Sequence, residues 1–358
     1  GSSLGQLFSS FSALAANPND TTTRQSVLDS AGAFAQRAND TAASISQMQS
    51  DLRQQAQGTI DDVNQRAKDI AKLDLQIAQA ESQGQDAADL KDQRDQKLLD
   101  MSSLIDVHTF TDGQGNLVVQ SAGTTLIDGS HAGQLSLGAA SDGSLQILTA
   151  DPSGSTADVT KYLTGGKLAG IRDARDVDLF DVSKQLDQLV FDVATAVNTQ
   201  HAAGTGTDGG TGRNLFDVGA NSSGAAAAVH VSADVLGHPE RVAAALSSTS
   251  LPGGSDNAAA LSALSTSFFA NGNSETAAQA YGDIVGHVGQ LRADSKRDVE
   301  TQTAVFQQAQ SMQQSLSGVS LDEEMVALTK YQNAYQAASK VLTTVDQLLA
   351  TLMDAVGR

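Results

Sequence analysis

The chain has 358 residues, and its 41 acidic against 22 basic side chains give a formal charge of −19. A surface of that sign repels phosphate backbones and anionic lipid, which weighs against nucleic-acid binding and against membrane adsorption. Cysteine is absent, so disulfides, thiolate nucleophiles and Cys-based zinc sites are excluded together.

No apolar run reaches the roughly 18 residues that membrane insertion of a helix requires. Aromatic residues make up 4% of the chain and Trp is missing. With Ala, Ser, Gln, Asp and Gly in their place, long helices with slim interfaces are expected rather than a thick globular core. The start, Gly1-Ser2-Ser3-Leu4, has neither the basic nor the apolar region of a secretory signal. Lacking an initiator Met, it reads as a chain whose first natural residues have been cut away, with Gly1-Ser2 left by cloning.

Leu4 to Ala16 predicts a short helix closed by the turn Asn17-Pro18-Asn19-Asp20, and Asp20 or Thr21 can cap the next one. That helical pattern runs to about Ala80, with Gly58 as a candidate break. Ile60, Val63, Ala67, Ile70, Leu73, Ile77 and Ala80 recur every three or four residues, a stripe as narrow as a coiled-coil seam. Gly84 ends it, and a further helix is expected from about Asp86 to Leu104. The period changes at Ile105. Short β-prone runs at 107–111, 116–120, 124–128, 134–137 and 144–149 are punctuated by Gly, Asp, Asn and Ser, as in hairpins. Helical pattern returns after Gly165-Gly166, with a stripe from Leu179 through Val182, Leu186, Leu189 and Val193 to Val197. A third stripe runs from Tyr281 through Ile284, Val288, Leu291, Val299 and Phe306 to Leu316.

The expected fold is mainly α with a β insertion: a long antiparallel helical bundle or coiled coil plus a small β domain. Its expected parts are a first helical portion at 1–106, the β domain at 107–165, a returning helix at 166–205, a Gly/Ala-rich irregular connection at 206–274, the last bundle portion at 275–318 and a terminal assembly helix at 319–358. The Ile60–Ile77 stripe is expected to meet the stripes at Leu179–Val197 and Tyr281–Leu316.

The terminal helix carries the strongest pattern. Leu321, Met325, Leu328, Tyr331, Tyr335, Ala338, Leu342, Val345, Leu349, Leu352 and Val356 form one apolar face. Ser320 and Glu323 have capping-box spacing, and Asp322, Glu323 and Glu324 place negative charge where the helix dipole favours it. Such a helix is about 54 Å long at 1.5 Å per residue. A narrow seam of this kind needs a partner, because an unpaired amphipathic helix is marginal in water.

Signs of chemistry are weak. Gly204-x-Gly206-x-x-Gly209 follows a helix instead of a strand, so a flexible connection is expected and not a dinucleotide loop. The six histidines lack metal-ligand spacing, and His201 is expected to cap its own helix end. Asp92, Arg94 and Asp95 are expected to dock one helix on another, because the two carboxylates flank an arginine at helical spacing. No cofactor, metal or catalytic centre is expected, and no enzyme activity.

The wording of two stretches adds to this. Ser317-Gly318-Val319-Ser320-Leu321-Asp322-Glu323-Glu324 with Tyr331-Gln332-Asn333-Ala334-Tyr335-Gln336-Ala337-Ala338-Ser339-Lys340-Val341-Leu342 resembles the carboxy-terminal signature of bacterial flagellar axial proteins. Upstream, Ala16-Asn17-Pro18-Asn19-Asp20, Thr23-Arg24-Gln25-Ser26-Val27-Leu28, Ile60-Asp61-Asp62-Val63-Asn64, Ile70–Ile77, Asp89–Asp95 and Val197-Asn198-Thr199-Gln200-His201 together resemble the hook-associated protein 1 family of hook–filament junction proteins. The resemblance spans nearly the whole chain, with the β insertion and the Gly-rich loop matching by position alone. It implies a structural subunit in which the N-terminal helical segment of the family is missing and the outer part is small.

The resemblance further implies export through the flagellar type III channel, a transient cytoplasmic stage and an extracellular place in the flagellum. Its implied partners are the hook protein, a second junction protein, copies of itself, and an export chaperone on the terminal helix. Two other readings stay open. One is a hook or distal rod subunit, against which the helix ending in Asp92–Asp95 argues. The other is a secreted adhesin-like module with a projecting β domain, for which that segment offers only the aromatics Phe110 and Tyr162.

Overall fold

The computed structural model describes residues 2–113 and 115–317. Helix α1 (Ser2–Ala16) leads through the Pro18 turn into α2 (Thr21–Ser82), a helix of 62 residues. Asp20 is its N-cap: the carboxylate accepts the amides of Thr22 at 3.1 Å and Thr23 at 3.2 Å, supplying partners for two of the orphan donors at the helix start. The helix runs through Gly58 without a break, since one interior glycine costs only about 1 kcal/mol against alanine. Its water-facing side is held by hydrogen bonds from Gln to Asp four residues on, at 25/29, 36/40, 47/51, 57/61 and 65/69, each contributing about 0.2–0.5 kcal/mol.

Helix α3 (Ala88–Ser102) turns back along the end of α2. The ion pairs Lys91–Glu81, Arg94–Asp74 and Lys97–Asp69 run in opposite senses along the two helices, so the hairpin is antiparallel. The β insertion follows. Strands β1 (His108–Thr111), β2 (Leu117–Ser121), β3 (Thr124–Asp128) and β4 (His131–Ala132) form an antiparallel meander, with a register shift at Val119/Gln120. Strands β5 (Gln134–Ala139), β6 (Leu145–Ala150) and β7 (Thr156–Asp158) form a second antiparallel sheet. Helix α4 (Gly166–Asp173), a π-helical turn (Ala174–Asp178) and α5 (Leu179–Ala202) carry the chain back.

Two hydrophobic cores result. The first joins α1, the start of α2 and the end of α5 through Leu7, Phe11, Val27, Phe34, Val193 and Val197. The second joins the far half of α2 to α3, both sheets and α4 through Ile60, Val63, Ile70, Met101, Ile127 and Ile147. The fold is mainly α with a β insertion, as expected, but the expected contact of the Ile60–Ile77 stripe with the later stripes is corrected. The stripe at Ile60–Ile77 is covered by the sheets, α3 and α4, and not by Leu189–Val197. A helical stripe specifies which side is buried, but not what covers it.

The irregular stretch after α5 is also more than a connection. Strands β8 (Phe216–Asp217) and β9 (His230–Val231) and helices α6 (Ala225–Ala228) and α7 (Asp256–Ala263) place Leu215, Phe216, Val229, Val242 and Leu261 in the first core. There Phe34 meets Phe216 edge to face at 5.7 Å. Helix α8 (Ala277–Ser317) is the last described element. Residues up to Gly289 belong to one compact unit and those from Gln290 to a second. Of its stripe, Ile284 packs against the first core beside the buried Ala277 and Ala280, whereas Tyr281, Val288, Val299 and Phe306 are exposed.

The insertion is anchored at Gly166, whose φ of +77° and lack of a side chain let it lie against the backbone of residues 104–105, where a Cβ would stand 2.5 Å from the Ile105 nitrogen. Gly166→Ala is therefore expected to destabilise the fold by more than about 2 kcal/mol. Gly170→Ala, in the open middle of α4 with no neighbour within 4 Å of its Cβ position, should stabilise by about 0.5–1 kcal/mol. Urea unfolding of the two variants reads both.

Candidate functional site

Polar residues buried or half-buried among these helices act as ties between segments. At the end of α5, Asn198 faces the chain that follows. Its Oδ1 accepts the Leu215 and Phe216 amides at 3.0 and 2.9 Å, and its Nδ2 donates to the Phe216 carbonyl at 2.8 Å. Gln200 donates to Asn257 Oδ1 at 2.7 Å, and Asn257 donates to the Ala243 carbonyl at 2.7 Å.

His201, only 1% exposed, completes the set. Its Nε2 accepts the Ala243 amide at 3.0 Å, which leaves Nδ1 as the protonated nitrogen facing the Arg213 carbonyl at 2.7 Å. It thus ties two outside segments together and does not cap its own helix. From α2, the buried Arg24 donates to the carbonyls of Pro18 and Val242, and Asn39 donates to those of Ala226 and Val229.

The Gly-rich loop is pinned by the same segment. The Thr205 amide bonds the Ala245 carbonyl at 2.7 Å and the Thr207 amide bonds that of Glu240 at 2.8 Å. Gly204 is required by close approach, because a Cβ there would lie 2.1 Å from Asn257 Nδ2. The loop is a packing element, neither a flexible connection nor a phosphate cradle.

The second core has its own ties. Asn64 pairs its amide with the backbone of Leu135 on β5, donating at 2.9 Å and accepting at 2.8 Å. Asp74 accepts from Arg94 at 3.2 Å and from the Leu117 amide at 3.3 Å, and so joins α2, α3 and β2. Of the residues expected to dock α3, Arg94 makes that bond and also pairs with Asp95 at 3.1 Å. Asp92 is exposed and forms no ion pair among the described residues. Asp74, the partner that matters, lies 20 residues away in sequence, and nothing in the local spacing of α3 points to it.

The cap residues Ser320 and Glu323 and the assembly seam at Leu321, Met325, Leu328, Tyr335, Leu342, Val345, Leu349 and Leu352 lie outside the described residues. Beside the first core, α1, α2, α5 and the start of α8 leave an apolar trough of about 540 Å³, lined by Leu4, Phe34, Leu186, Ile284 and Val288 with Arg37 at its rim. Among the described residues, no group of three His, Asp or Glu side chains is placed to hold a metal ion.

Long helices tied by buried and half-buried polar side chains, with one β insertion, define a mainly helical, elongated-helix class of protein. The family model described as flagellar hook-associated protein FlgK helical domain matches residues 1–216, and that for the flagellar basal body rod FlgEFG protein C-terminal region matches residues 312–355. The chain belongs to the FlgK family of flagellar hook-associated proteins. It is 26% identical over 384 residues to flagellar hook-associated protein 1 of Bacillus subtilis, covering 99% of this chain and 76% of that one. To the protein of that name in Salmonella typhimurium it is 26% identical over 444 residues, covering 98% and 80%. The structure of the flagellar hook junction protein FlgK from Burkholderia pseudomallei shares the fold, with a TM-score of 0.78 at 18% identity over 89% of this chain and 94% of that one.

Two predictions follow from the ties. Burial holds the His201 pKa down to about 4 from its ordinary 6.5. An unfolded chain therefore takes up this proton at higher pH than the folded one. The contribution of neutral His201 is complete above pH 6.5 and is lost as pH falls towards 4, by about 3 kcal/mol in total. Urea unfolding between pH 7.5 and 4.5 should show this slope, and His201→Gln should flatten it. In the second core, Asp74→Ala leaves Arg94 and the Leu117 amide short of an acceptor and is expected to cost about 2–3 kcal/mol. Asp92→Ala should stay within about 0.5 kcal/mol of the parent in the same assay.

Proposed function

We infer that the chain is a structural subunit of the bacterial flagellum that joins hook to filament, and that it works by packing alone. The observation that carries this reading is the presence in one chain of the hook-associated helical domain and the axial C-terminal segment. The second match by itself would fit rod and hook subunits; the first favours the junction. In this reading the subunit contacts the hook protein, a second junction protein and copies of itself. It is exported through the flagellar type III channel, and a cytoplasmic chaperone covers the Leu321–Val356 seam beforehand. That role for the chaperone has a physical motive, since an exposed Leu/Val seam promotes early association. Of the three residues expected to dock α3, Arg94 takes the supporting part by holding the hairpin on which the β insertion rests, with Asp95 paired to it and Asp92 uninvolved.

The test is a variant in the seam. Leu342→Asp combined with Leu349→Asp should leave the thermal unfolding of the preceding domains unchanged. It should abolish motility in a strain relying on it and weaken capture of the flagellar export chaperone by at least about tenfold. Ser320→Ala should cost the terminal helix about 1 kcal/mol, read by circular dichroism. Retained motility and chaperone capture in the double variant would remove the assembly role given to this segment.

A further inference from the structure

Among the described residues the chain passes between its two cores twice, and neither crossing holds a fully buried residue. On α2, Ile45 and Ala56 are buried but none of residues 46–55 is. On the return, Ile171 and Leu189 are buried but none of residues 172–188 is. The two hydrophobic clusters share no residue. Large apolar side chains stand open to water here: Met48, Val177 and Phe180 are 45%, 52% and 55% exposed. The return crossing also contains the π-helical turn Ala174–Asp178, a wider turn of the kind that bends helices.

One charged pair braces this region. Arg175 donates through Nε to the Gln49 carbonyl of α2 at 3.1 Å and through Nη2 to the Gly143 carbonyl at 3.1 Å, and its Nη1 pairs with Asp176. Asp176 in turn accepts the Leu145 amide at 2.8 Å. Both side chains are largely buried, at 14% and 12% exposure. Arg175 and Asp176 thus fix the π turn to the middle of α2 and to the β5–β6 hairpin of the second core.

We propose that residues 46–55 and 172–188 form a flexural waist between the two cores, and that the Arg175–Asp176 pair is the clamp that sets its resting angle. The physics is direct. Resistance to bending comes from tightly packed apolar contacts, which both cores have and the waist has only towards its ends, where Leu52 packs on the second core and Leu186 on the first. Bending two parallel limbs requires one to change length relative to the other. The uninterrupted α2 cannot supply that change, but rearrangement between π and α geometry in the other limb can. The Gln47–Asp51 hydrogen bond keeps α2 helical across the waist without tying it to anything else. The inference concerns the single chain and does not depend on where the chain is assembled.

The test uses pulsed electron spin resonance on the whole chain, which has no native cysteine to remove. Labels at Gln25→Cys and Ser130→Cys span the two cores; labels at Ser130→Cys and Ser153→Cys lie within the second. The spanning distribution should be broader than the internal one, and Arg175→Ala should broaden it further by about twofold while leaving the internal distribution unchanged. Asp176→Asn, nearly isosteric, should broaden it in the same direction and serves if the first variant folds poorly. A spanning distribution as narrow as the internal one and unmoved by either substitution would overturn the proposal. So would equal broadening of both distributions, because that would make the pair a general stabiliser of the second core.

Discussion

One helix must serve two cores. Helix α2, 62 residues long, would span about 93 Å at 1.5 Å per residue, more than any single layer of partners here covers. Its first half is buried by α1, α5 and the irregular segment, and its second half by α3 and the two sheets. The other elements of the first compact unit pack on one half of α2 or reach it through neighbours that do, as α7 does through α1 and β7 through β6 and β5. The chain can leave for the β insertion and return because α2 offers a continuous scaffold at both ends of the excursion.

Apolar stripes alone would let these partners slide or rotate, since the hydrophobic effect is not directional. Directional bonds from a few buried polar groups fix the arrangement. Asn64 can pair with Leu135 in one register only, and Asp74 receives Arg94 and the Leu117 amide together. Asn198, Gln200 and His201 do the same for a segment with little regular structure. Bonds of this kind also resist shear between packed helices. Between residues 45 and 56 of α2 no residue is buried, and the Arg175 bond to the Gln49 carbonyl is the tie across that stretch on which the proposed waist depends.

The helices and most of the strands were legible because their periods are strong. The Asp20 cap and the hairpins around Gly113 and Gly143 follow from local chemistry. Three things were not legible. An Ala-rich stretch with no sustained period gives no sign that Val229, Val242 and Leu261 complete a core. Strands of two or three residues, such as β4 and β7, are too short to show alternation. The partners of Arg24, Arg94 and His201 lie far away in sequence, so their polar character was visible but their roles were not. The motifs that carried the family resemblance turn out to contain many of these ties: Arg24, Asn64, Asp74, Arg94, Asn198 and His201.

Hydrogen exchange along α2 tests this account most directly, because every part of it rests on one helix held by two separate cores. Amides at residues 27–42 and 59–71 should exchange slowly, each block with its own opening free energy, and those at 46–55 should exchange faster than both. Uniform protection from Val27 to Ala71, lost in one cooperative step, would contradict it.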